Sequence, residues 1–129
     1  MPFIKISTLP NTLDKATIMK NVENALYTAV FEGKQLMPPN MATCMWQTMD
    51  GVVHKLEPHT EFDPQAIEVP VFVDLYVNTI FSEAKLKTIM EIIGRELSAG
   101  TGIDPNYVFI QTHVGRAGYI FINGEVWKG

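Results

Sequence analysis

The chain opens Met1-Pro2-Phe3-Ile4-Lys5-Ile6, and Pro2 is its most informative residue. Initiator methionine is normally removed when the second residue is as compact as proline, which would leave Pro2 with a free secondary amine. An α-amino group has a reference pKa of about 7.7–8.0. Desolvation or a nearby cation lowers that value into the range a general base needs at neutral pH. With Met1 retained, the same nitrogen is a tertiary amide and is not basic. Most chains beginning Met-Pro have no such chemistry, so Pro2 carries weight only in company.

The remaining chemistry-bearing residues are sparse. His54, Glu57, His59, Glu61 and Asp63 crowd one segment, but their spacing matches no recognised ligand motif, and a solvated polar linker is expected there rather than a metal site. His113 ends an apolar run, as either a pocket acid or base or a structural histidine. Cys44 is the only cysteine; it excludes an internal disulfide and is expected to be a small buried residue. No serine or cysteine triad, phosphate-binding glycine loop or cofactor motif is visible, so no cofactor is expected.

These groups need a scaffold, and 129 residues with 47% apolar and 19% charged side chains suit one globular domain spanning 1–129. A formal net charge of −4 and the lack of any lysine–arginine cluster argue against nucleic acid as a partner. No apolar run approaches the roughly 18 residues of a membrane span. The start lacks the basic-then-apolar layout of a signal peptide, so a cytoplasmic location without membrane partners is expected.

The scaffold is written twice. Pro2-Phe3-Ile4-Lys5-Ile6 and Pro70-Val71-Phe72-Val73-Asp74-Leu75 are both β-prone runs headed by proline. Each precedes a helical stretch containing Thr-Ile-Met, Thr17-Ile18-Met19 and Thr88-Ile89-Met90, with Leu26 and Leu97 at one common offset. Each half then reaches a Pro-Asn pair, a β-prone run and a Gln-Thr pair: Pro39-Asn40 to Gln47-Thr48, and Pro105-Asn106 to Gln111-Thr112. The chain reads as two β-α-β units, at about 2–49 and 69–127, joined by a polar hairpin and linker at about 50–68.

In the first helix, Ile18, Val22, Ala25 and Ala29 form an apolar stripe that Met19, Leu26 and Val30 widen. Thr12 is its expected N-cap, with Asp14 in the first turn. The second helix is expected to start at Ser82, present Leu86, Ile89, Met90, Ile93 and Leu97, and end at Gly100 and Gly102. Runs 69–77 and 106–113 are almost continuously apolar, as in a sheet covered on both faces. Two helices cover only one face of so small a sheet, so the other face calls for an oligomeric partner. Asn123-Gly124 within Phe121–Trp127 marks a two-residue hairpin turn. The fold class expected is α+β, a two-layer sandwich with two β-α-β repeats in one mixed sheet and two helices on one face.

Pro2 at the head of a strand, paired β-α-β units and the closing Ile122-Asn123-Gly124-Glu125-Val126 together resemble the tautomerase superfamily. Gly102 to Ile110 is similar to the migration inhibitory factor branch, and the closing segment to the 4-oxalocrotonate tautomerase branch. The resemblance covers nearly the whole chain outside 50–68. It implies a homotrimer with sheets inward, and a cofactor-independent tautomerase in which Pro2 is the general base and acid. The substrate implied is a small 2-oxo acid or its enol. A cation or donor must then hold the substrate carboxylate and stabilise the enolate.

The pattern departs from the family at that anchor. Thr12 and Thr43 fall where the oxalocrotonate and dehalogenase branches carry arginines, which disfavours dicarboxylate and dehalogenase chemistry. A substrate with one carboxylate and an apolar or aromatic body fits better. Of the two arginines, Arg95 reads as a surface charge on the second helix. The resemblance places Arg116 near the pocket, with an exposed loop arginine as the other reading. Lys34 is similar to a pocket lysine of the migration inhibitory factor branch, although a lysine after a helix is also explained by the helix dipole. Gln111 falls at a polar amide position of that branch, and Ile120 and Trp127 at apolar lining positions that are equally suited to the core. Lys5 alternates away from Pro2 and is a poor partner for it. Two alternatives share these elements: a non-catalytic trimer of the same fold, and a ferredoxin-like ligand-binding module with a different strand order.

Overall fold

The computed structural model describes residues 2–50 and 70–129. Strand β1 (Phe3–Thr8) leads to helix α1 (Lys15–Thr28), a small hairpin β2 (Val30–Phe31) and β3 (Lys34–Gln35), then β4 (Thr43–Thr48). The second half runs β5 (Val71–Asn78), α2 (Glu83–Thr101), a single 3₁₀ turn at Pro105–Tyr107 and β6 (Val108–Gly115). A closing hairpin, β7 (Phe121–Ile122) and β8 (Glu125–Val126), follows. The cluster His54–Asp63 and nearly all of the linker lie outside the described residues.

Both β-α-β units form as the repeat predicts. β1 pairs in parallel with β4, β5 in parallel with β6, and β1 joins the halves by pairing antiparallel with β5. The four-stranded order is β4-β1-β5-β6. The parallel pairing of the first long strand with the second excludes the ferredoxin-like alternative, although β1 also has the third strand, β5, as its other neighbour.

Strand alternation decides which residues face the helices. Ile4 and Ile6 of β1 and Val71, Val73, Leu75 and Val77 of β5 are buried on that side. They pack with Ile18, Val22 and Leu26 of α1 and with Ile89, Ile92, Ile93 and Leu97 of α2. Burying each such side chain contributes about 1.5–3 kcal/mol, so this one layer supplies the bulk of the core. The helices cross closely: a Cβ on Gly100 would lie 2.9 Å from Ile18 Cγ1.

Several boundaries differ from expectation. Asp14, not Thr12, caps α1, its carboxylate accepting from the Thr17 amide at 3.2 Å and the Thr17 hydroxyl at 2.7 Å. Asn11 takes the preceding turn instead, accepting from the Leu13 amide at 3.1 Å. Val30 does not extend the helical stripe; it lies in β2 and is 70% exposed. Gly100 remains inside α2, which ends at Gly102 with φ of 77°. The β2–β3 hairpin, turning through Glu32 and Gly33 at positive φ, was not anticipated.

Candidate active site

The long strands converge chemically at one end of the sheet. Because β5 runs antiparallel to β1, the start of β1 meets the ends of β5 and β6. Phe3, Tyr76 and His113 form one cross-strand row there. Their rings contact in sequence: Phe3 to Tyr76 at 6.0 Å and tilted, Tyr76 to His113 stacked at 4.6 Å and nearly parallel.

Over this row lies a cavity of about 380 Å³. Strand ends Val77, Asn78, Val114 and Gly115 form its base, and Tyr119, Ile120, Ile122 and Trp127 of the closing segment form its roof. The roof is held by backbone bonds, Trp127 N to Ile120 O at 2.7 Å and Gly118 N to Trp127 O at 2.8 Å. Its turn is Asn123-Gly124, both at positive φ (55° and 81°), as a two-residue hairpin requires. Ile120 presses onto the backbone of Gly115 so closely that a Cβ there would collide with Ile120 Cδ1.

The expected site residues divide between this cavity and other places. Ile120 and Trp127 line it. Pro2 is buried immediately before Phe3, and its carbonyl accepts from the Thr43 amide at 3.0 Å; Phe3, rather than Pro2, is on the cavity wall. Arg116 is exposed, and its guanidinium carbon sits 5.3 Å from the ring centre of the roof residue Tyr119, which puts a cation at the rim.

Lys34 is on β3 and exposed. Its hairpin lies at the Pro2 end of the sheet, because Tyr27 near the end of α1 bonds both backbone groups of Ala42 through its hydroxyl, at 3.1 and 3.2 Å. Within one chain the hairpin is on the β4 side and Lys34 is not on the cavity wall. Gln111 is exposed on the helix-free face opposite Asp74, beside Phe72 and Phe109, in a separate pocket of similar size, about 390 Å³.

Two groups gain importance that the sequence did not bring together. His113 Nε2 lies 2.8 Å from Asp74 Oδ1, and His113 is on the cavity wall. Tyr76 is a wall residue as well. Strand alternation alone could have placed Asp74 and Tyr76 on one face, but their partner depends on the β5–β6 register. Cys44 is half-buried rather than fully buried; burial first, and the nearby Glu23 charge second, push its thiol up to about 12. No group of metal-ligating side chains occurs among the described residues.

No protein-family model and no curated protein matches the sequence. Solved structures do match the fold. A fused 4-OT wild type symmetric trimer has a TM-score of 0.69 at 11% identity, over 97% of this chain and 94% of its own. A malonate semialdehyde decarboxylase has a TM-score of 0.62 at 14% identity, over 95% and 92%. MIF2 of Leishmania major has a TM-score of 0.65 at 13% identity, over 98% and 97%. The chain has the tautomerase-superfamily fold, with its mixed sheet, two helices and paired β-α-β units.

Proposed function

We propose that the protein is a cofactor-independent tautomerase in which the amine of Pro2, freed by removal of Met1, moves a proton between carbon and oxygen of a small 2-oxo acid. The observation that carries this reading is the location of Pro2. It heads the strand whose next residue walls an aromatic cavity, at the end of a tautomerase-type sheet.

In the ketonising direction the neutral amine accepts the enol hydroxyl proton and, as the ammonium, returns a proton to carbon. In the reverse direction it abstracts the proton α to the carbonyl. Arg116 at the rim is the carboxylate anchor within one chain, while Ile120 and Trp127 enclose the apolar body of the substrate. Lys34 and Gln111 do not line the cavity of their own chain, and we assign their substrate-binding role to the assembled homotrimer, the state named for the 4-OT neighbour. The malonate semialdehyde decarboxylase neighbour was also solved with the proline that opens that chain changed to alanine and in an inactivated form. The described residues contain no helix long and apolar enough to cross a membrane. A cytoplasmic location remains part of the proposal.

The test is ketonisation of phenylenolpyruvate by protein whose intact mass shows Met1 removed. Pro2→Ala is expected to lower kcat/KM at least about 100-fold. Unchanged activity in Pro2→Ala, or retention of Met1 in the native protein, overturns the proposal. Pro2 is buried and does not itself line the cavity, which supports the second reading, a non-catalytic trimer of the same fold. Wild-type protein with Met1 removed but no turnover of this enol is the result that favours it.

A further inference from the structure

Keto–enol exchange involves two proton positions, one on carbon and one on oxygen. A single amine serving both must reach both in turn. The cavity wall carries one imidazole, His113, and it is held from two directions. Its ring lies against Tyr76 at 4.6 Å and 15°. Its Nε2 meets Asp74 Oδ1 at 2.8 Å.

An ionised carboxylate only accepts hydrogen bonds, so Nε2 carries the hydrogen, and in the neutral ring the lone pair is on Nδ1. A carboxylate that fixes the tautomer and steadies the imidazolium is the arrangement that makes histidine a directed base. The other charged groups nearby are Lys5, opposite Asp74 on β1, and Arg116, beyond Tyr119. His113 belongs to the same cross-strand row as Phe3, two strand spacings or about 10 Å from the β1 backbone. Pro2 directly precedes Phe3, so both residues belong to the same end of the sheet.

We propose that His113, positioned by Asp74 and Tyr76, is a second proton-transfer residue of this site, serving the substrate oxygen while Pro2 serves carbon. This rests on the tautomerase reading above. In this division of labour, which replaces the single-amine relay, Pro2 begins ketonisation as the ammonium and gives its proton to carbon, the enol C=C pair forms the new C–H bond, and the O–H pair becomes the carbonyl π bond. The hydroxyl proton passes to His113 Nδ1. Pro2 has then lost one proton and His113 gained one, and exchange with water restores both.

The experiment compares His113→Gln, Asp74→Asn and Pro2→Ala with the parent protein, all with Met1 removed, in phenylenolpyruvate ketonisation. His113→Gln is expected to lower kcat about 100-fold with KM within about 3-fold. Added imidazole should restore part of the activity of His113→Ala, which a purely structural role would not allow. Asp74→Asn should lower kcat without abolishing the fold. It also serves as the second variant should His113→Gln fail to fold. Loss of activity in Pro2→Ala with full activity in both His113→Gln and Asp74→Asn overturns this inference and leaves the tautomerase reading intact. Inactive parent protein overturns both.

Discussion

At the scale of single residues, the cavity depends on a contact with no sequence signature. Gly115 ends β6, and Ile120, five residues on, lies directly over it. A methyl group there must push Ile120 into the cavity or lift the roof. Gly115→Ala is expected to cost about 1–3 kcal/mol of stability and to raise KM for an enol substrate more than it lowers kcat. Thermal melting and steady-state kinetics check both parts, and an unchanged KM would show that Ile120 does not border bound substrate. Pro2, Ile120 and Trp127 could be singled out in the sequence because position and motif mark them. The His113–Asp74 pair could not, since its members lie 39 residues apart and meet only through strand register.

At the scale of elements, the helices were legible and their ends less so. Apolar spacing identifies both stripes because burial repeats every turn. Caps compete locally: Thr12, Asn11 and Asp14 all suit the start of α1, and the choice falls to the residue whose carboxylate reaches Thr17. The Thr17 hydroxyl, and then its amide, hold the Asp14 carboxyl below its ordinary 3.8. The charged cap therefore stabilises the fold fully above that pH, and its contribution is lost as pH falls through the lowered value. Asp14→Ala is expected to lower Tm by roughly 2–5 °C at pH 7, with the gap narrowing in melts run below pH 3.8. A gap independent of pH would assign the effect to the backbone rather than to the charge. The β2–β3 hairpin escaped notice because two-residue strands carry no periodicity; only Gly33 marked its turn.

At the scale of the whole molecule, one sheet face is unfinished. Met45, Phe72 and Phe109 are 37–52% exposed on the face without helices, away from the cavity wall, and Phe72 stacks on Phe109 at 5.8 Å. The closing hairpin adds Tyr119 and Phe121, 80% and 73% exposed. Apolar surface of this extent marks an interaction site, and the proposed homotrimer would cover it with further copies. Phe109→Lys is expected to shift light-scattering mass from trimer to monomer while circular dichroism is retained. A wild-type monomer at micromolar concentration would count against the assembly.

The sequence by itself determined the repeat, the helical stripes, the closing turn and the fold class, because these follow from periodic burial and local backbone preference. Tertiary structure decided the strand order, the union of Phe3, Tyr76 and His113 in one row, and the separation of Gln111 and Lys34 from the cavity of their own chain. Those relations join residues distant in sequence, and they are set by which strands pair and in which register.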